Sequence, residues 1–172
     1  MNIEKEYKML LNEKQFNNLL NCFSFNTNTQ INYYFQANNN KDIAIRIREI
    51  NNTYTFTMKI KKDVLYEFEF NIPNNNINDP KIKEIFLEYN LDEVIYLGKL
   101  KTIRHTYNDT YGQICLDYNE YNNLIDYEIE YELYDYNLDY LNYFKDLLKT
   151  NNIIYKENNI SKIKRFKNTT IQ

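Results

Sequence analysis

A chain of 172 residues, 43% hydrophobic and 26% charged, has the size and composition of one globular domain with a sizeable core. Its formal net charge of −3 excludes a long-range positive field, and with it general binding to nucleic acid or to an anionic membrane, so any polyanionic ligand must be met by a local cluster of Lys and Arg. No opening apolar run has the length of a signal peptide or membrane span, and Cys22 and Cys115 match no metal-binding spacing, which together point to a reducing, cytoplasmic setting.

Strict alternation dominates the chain. In the opening "IEKEYKML", Ile3, Tyr7, Met9 and Leu11 share one face, with Glu4, Glu6 and Lys8 on the other. A helical period follows over residues 13–22, then a strand beginning at Gln30 in "QINYYFQ". "DIAIRIREI" sets Ile43, Ile45 and Ile47 against Arg46 and Arg48, and "TYTFTMKIK" sets Tyr54, Phe56, Met58 and Ile60 against Lys59 and Lys61. "VLYEFEFNI" places Glu67 and Glu69 opposite Tyr66, Phe68, Phe70 and Ile72. Asp79 followed by Pro80 marks a helix start, and the pattern runs to Tyr89. Three more strands surround Arg104, Asp117 and Glu128–Glu130, and helical periods close the chain over residues 138–149 and 160–167.

Eight strands and four helices, with short connections such as Asn51-Asn52 and Lys62-Asp63, predict an α+β protein that is mainly antiparallel β. No linker or internal repeat divides residues 1–172, so a single domain is expected. The 18 tyrosines, 2 glycines and asparagine runs such as Asn38–Asn40 read as AT-biased coding, with the runs falling in turns. Exposed tyrosines could support a homodimer, but no spacing marks an interface.

Charge is sorted by strand. Arg46, Arg48, Lys59 and Lys61 make two strands basic, whereas Glu4, Glu6, Glu128 and Glu130 make the first and last acidic. A surface built only for solubility mixes the signs. Eight antiparallel strands can instead close into a barrel, with helices outside and the charged face lining the lumen. Such a lining is costly unless ion pairs and a highly charged ligand offset the desolvation. Lys and Arg suit phosphate oxygens, and neighbouring carboxylates suit a hard cation that bridges phosphate.

The chain resembles the CYTH superfamily, the triphosphate tunnel metalloenzymes. The resemblance rests on "EKEYK" (Glu4, Glu6, Lys8), "NYYF", "RIR", "TMKIK", "EFE", Arg104, "LDYNEY", "DYEIEYE" and the closing "SKIKRF", in the order and spacing of compact bacterial members. It implies an eight-stranded antiparallel β-barrel tunnel with helices packed outside. It also implies metal-dependent hydrolysis of a triphosphate. Family substrates include inorganic tripolyphosphate, thiamine triphosphate, nucleoside triphosphates and RNA 5′-triphosphate ends, and one branch cyclises ATP.

Residue by residue, the resemblance assigns Glu4, Glu6, Asp117, Glu128 and Glu130 to Mg²⁺ or Mn²⁺. Lys8, Arg46, Arg48, Lys59, Lys61 and Arg104 are assigned to the three phosphates. Glu67 and Glu69 are expected to hold basic side chains in place, and Asp126 and Glu132 to lie near the tunnel mouths. His105 should face away from Arg104, and Cys115 should fill space rather than attack substrate. Lys162 and Arg165, on one face of a short terminal helix, should reach the phosphates without touching the metal. Tripolyphosphate is the expected substrate. Thiamine triphosphate hydrolysis, adenylyl cyclisation and non-catalytic sensing of polyphosphate or nucleotide are the alternatives.

Overall fold

The computed structural model describes residues 5–61, 65–135, 137 and 139–170. Its strands are β1 (Glu6–Leu11), β2 (Asn26–Ala37), β3 (Asn40–Ile50), β4 (Thr53–Lys61), β5 (Leu65–Ile72), β6 (Val94–Asn108), β7 (Gly112–Tyr121) and β8 (Leu124–Leu133). The helices are α1 (Glu13–Leu20), α2 (Pro80–Glu88), α3 (Leu141–Thr150) and α4 (Lys162–Thr170). All eight strands belong to one sheet in the order β1-β8-β7-β6-β2-β3-β4-β5. The pairs β1–β8, β7–β8, β2–β3, β3–β4 and β4–β5 are antiparallel. Among the described residues no helix is long and apolar enough to cross a membrane.

Every predicted strand and helix is present. The largest differences are at β2, which begins four residues before Gln30, and at β6, which begins at Val94. The early part of β6, "VIYLGKLK", is interrupted by Gly98, whose φ of +141° is open to glycine but strained for any other residue. A Cβ there would also lie 2.7 Å from the Phe166 ring.

Asparagine does the work that the scarce glycines do not. Every described non-glycine residue with positive φ is Asn: Asn51, Asn52, Asn90, Asn122, Asn123 and Asn152. Asn51-Asn52 and Asn122-Asn123 turn β3 into β4 and β7 into β8, where a tight hairpin needs two successive left-handed residues. Asn12 caps α1 by accepting the Gln15 N–H, and Gln15 accepts the Asn12 N–H in return. Asp79 caps α2 just before Pro80.

The described residues divide into two compact units, one within 29–101 together with 163–170, and the other 5–28 together with those within 102–162. In the first unit Phe35, Ile45, Ile47, Phe56, Met58 and Ile82 form a buried core, so the apolar face of β3 and β4 is covered by α2. In the second, Met9, Phe16, Leu19, Ile129, Tyr131, Phe144 and Leu148 do the same for β1 and β8 under α1 and α3. Side chains alternate across a strand, so burying these faces presents the charged residues together on the opposite ones.

Candidate active site

In the second unit the register stacks acidic positions across three strands. Lys8 stands opposite Glu130 and Glu6 opposite Glu132, while on the other side of β8 Asp117 is opposite Glu128 and Cys115 opposite Glu130. Two carboxylate groups result, Asp117–Glu128–Glu130 and Glu6–Glu130–Glu132, each with ligand oxygens within 4.8 Å of one another. Both are oxygen-only donor sets, as a hard divalent cation requires, so the residues present fit Mg²⁺ or Mn²⁺.

The inner group is buried, and Arg104 on β6 organises it. Its Nε donates to Asp117 Oδ1 at 2.9 Å and one terminal nitrogen to Oδ2 at 2.8 Å. The same nitrogen bonds Glu130 Oε2, and the other reaches Glu132 Oε1 at 3.2 Å. Lys162, the first residue of α4, puts Nζ 2.9 Å from Asp117 Oδ2, 2.7 Å from Glu128 Oε2 and 2.5 Å from Glu130 Oε1. Burial alone would lower the Lys162 pKa, but Glu130, Asp117 and Glu128 hold it well above the usual lysine value. Burial alone would raise Asp117 and Glu130, but the charges of Lys162 and Arg104 hold both below the usual carboxylate range.

Arg104, expected on phosphate, pairs in this structure with Asp117, Glu130 and Glu132. Lys162, also expected on phosphate, lies beside Asp117, Glu128 and Glu130. Both side chains face buried carboxylates that cannot stay ionised without nearby cations, a demand visible only once the strands are paired. Lys8 pairs with Glu6 at 2.5 Å. Glu4 lies outside the described residues.

Asn158, in the segment between α3 and α4, is a site residue that alternation could not reveal. Its Nδ2 donates to Glu128 Oε1 at 3.1 Å and to the Ile160 carbonyl, and its backbone N–H donates to the Lys8 carbonyl at 2.9 Å. Nothing in the sequence distinguishes it from the asparagines of the turns. Asp126 is held by Asn119 and Tyr121. His105 lies edge-on to Phe16 and Phe25, on the helix-packing side as expected, and burial lowers its pKa. Cys115 is fully buried, and burial pushes its thiol pKa well up, so no thiolate is available.

The polar face of the first unit is basic. Arg46 stands between Tyr34 and Thr57 in register, Arg48 between Asn32 and Thr55, and Lys59 beside Glu67. Asn32 Oδ1 accepts from Arg48 Nε at 2.9 Å, and Thr57 Oγ1 accepts from an Arg46 terminal nitrogen at 3.0 Å and donates to Glu69. Glu67 is 3.3 Å from Lys59 Nζ, the holding role expected of it. Arg46 Nε is buried with no protein acceptor, a donor suited to an incoming anion. Lys61 ends β4, but its side chain lies outside the described ones. Phe166 of α4 is fully buried with its ring 5.3 Å from that of Tyr34, and Arg165 beside it is partly buried.

A family model described as CYTH domain matches residues 2–166. YjbK of Bacillus subtilis (strain 168), named a triphosphatase, is 31% identical over 153 residues, covering 78% of this chain and 79% of that protein. A crystal structure from Bacillus halodurans, named for adenylate cyclase, superposes with a TM-score of 0.77 at 26% identity, covering 95% of this chain and 97% of the other. HpAC1 from Hippeastrum, described as having a dominant triphosphatase activity, gives a TM-score of 0.80 at 22% identity over 99% and 98% of the two chains.

Proposed function

Since the chain belongs to the CYTH family, we propose that it acts as one domain that hydrolyses a triphosphate with the help of Mg²⁺ or Mn²⁺, and that inorganic tripolyphosphate is its preferred substrate. The reading is carried by two polar faces of opposite character. One is a row of Arg46, Arg48 and Lys59 with an unpartnered buried donor, and the other is a set of oxygen ligands built on β1, β7 and β8. The triphosphatase name of YjbK supports a triphosphate as the substrate class.

In this proposal Arg46, Arg48, Lys59 and Lys61 bind phosphate oxygens and stabilise the negative charge that spreads over the transferring phosphoryl group. Asn32, Thr57 and Glu67 hold the basic side chains extended, so less rotamer entropy is lost when substrate arrives. Arg104 fixes the orientation of Asp117, Glu130 and Glu132. A divalent ion held by Glu4, Glu6, Asp117, Glu128 and Glu130 would neutralise phosphate charge and favour ionisation of the attacking water. Water is the nucleophile, and the un-ionised Cys115 thiol takes no part.

The test is phosphate release from tripolyphosphate, thiamine triphosphate and ATP, with Mg²⁺ and with Mn²⁺. Tripolyphosphate should turn over fastest. Cyclic AMP as the main product from ATP would replace the hydrolase reading with the cyclase one, the activity named for the Bacillus halodurans protein. Tight binding with no turnover of any of the three would leave a sensor.

A further inference from the structure

We propose that the Lys162 ammonium is an internal counter-cation, seated where the divalent ion binds, and that it must leave Asp117, Glu128 and Glu130 before that ion can enter. The inference rests on the proposed metal role of these carboxylates. Every oxygen of the three already has a donor. Arg104 takes Asp117 Oδ1 and Glu130 Oε2 and shares Asp117 Oδ2, while Asn158 takes Glu128 Oε1. Lys162 takes Glu128 Oε2 and Glu130 Oε1 and shares Asp117 Oδ2.

One oxygen of each carboxylate therefore converges on a single ammonium nitrogen, at 2.5 to 2.9 Å. A Mg²⁺ ion would draw the same three oxygens to about 2.1 Å, and its centre would fall close to where the nitrogen lies. The two cations cannot share that space.

Moving the Lys162 side chain withdraws one cation from all three converging oxygens at once and leaves Asp117 Oδ2 to Arg104. The side chain is also placed for it. Lys162 opens α4, and the chain before it, from Ile153 to Ser161, has no regular secondary structure. Once released, the ammonium needs another anionic partner, which a bound triphosphate supplies. Metal and triphosphate should then bind with positive coupling, each favouring the state in which Lys162 has left the carboxylates.

Mn²⁺ titration followed by electron paramagnetic resonance, without triphosphate, tests the proposal on the wild type and on Lys162→Met, which keeps length without charge. The variant should bind Mn²⁺ at least tenfold more tightly, and Mn²⁺ should raise its melting temperature more than that of the wild type. A second measurement uses only the wild type, so it does not depend on the variant folding. Acylation of Lys162 by an acetylating reagent, read by mass spectrometry, should be slow in chelator and at least severalfold faster in saturating Mn²⁺. Binding of Mn²⁺ with equal affinity to both proteins, or with no change in Lys162 acylation, would overturn the exchange and direct the ion to Glu6, Glu130 and Glu132 instead. No Mn²⁺ binding to either protein would overturn the metal role of the carboxylates, and the exchange with it.

Discussion

Replacing Arg104 with methionine keeps most of the side-chain volume and removes the guanidinium that joins Asp117, Glu130 and Glu132. The Arg104 side chain is 11% exposed, that of Glu130 9% and that of Asp117 0%, so water cannot take over the lost bonds. Lys162 would be left as the buried cation against Asp117, Glu128 and Glu130, with Lys8 acting on Glu130 from β1. Breaking a buried ion pair by deleting one partner typically costs about 3–5 kcal/mol. For a chain of this length that corresponds to a fall in Tm of roughly 6–20 °C. Total stabilities are on the order of 5–15 kcal/mol, so the loss is severe but survivable.

The penalty should also depend on pH. Asp117 and Glu130 titrate below the usual carboxylate range in the folded state, so their contribution is complete above about pH 4, the ordinary carboxylate pKa, and fades as pH falls through the folded-state values. Losing Arg104 moves both back toward ordinary values, and the gap between variant and wild type should narrow in acid. Urea unfolding in chelator, followed by far-ultraviolet circular dichroism at pH 7 and at about pH 3, below the ordinary carboxylate pKa, measures both effects. A loss under about 1 kcal/mol at pH 7, within the range of an exposed pair, would refute the reasoning. So would an equal loss at the two pH values.

Two further substitutions test the surroundings. Asn158→Ala removes the donor to Glu128 Oε1 and both bonds to Ile160. It should cost about 1–3 kcal/mol in urea unfolding and reduce kcat/KM for tripolyphosphate by about fivefold or more, and an unchanged kcat/KM would remove Asn158 from the site. Gly98→Ala forces a Cβ against Phe166 at a φ that L residues avoid. It should cost about 1–3 kcal/mol, and an unaltered Tm in calorimetry would show that α4 can shift to make room.

The alternation of "DIAIRIREI", "TYTFTMKIK" and "DYEIEYEL" was enough to predict strands, the apolar face of each and the sorting of charge by strand, because a strand's side chains have a period of two whatever it pairs with. Placing acids on one set of strands and bases on another was likewise readable, and so was the holding role of Glu67. What tertiary structure decided is which charges meet. Arg104 and Lys162 are as basic in sequence as Arg46 and Arg48. Tertiary packing surrounds the first two with buried carboxylates, and strand register gives the second two Asn32 and Thr57 with a buried donor still unpartnered. Asn158 acquires its role in the same way, from a segment of no period brought beside β1 and β8. Local pattern reports which way a residue faces. The partner that fixes a buried charge comes from residues a dozen or more positions away, through pairing that no local period encodes.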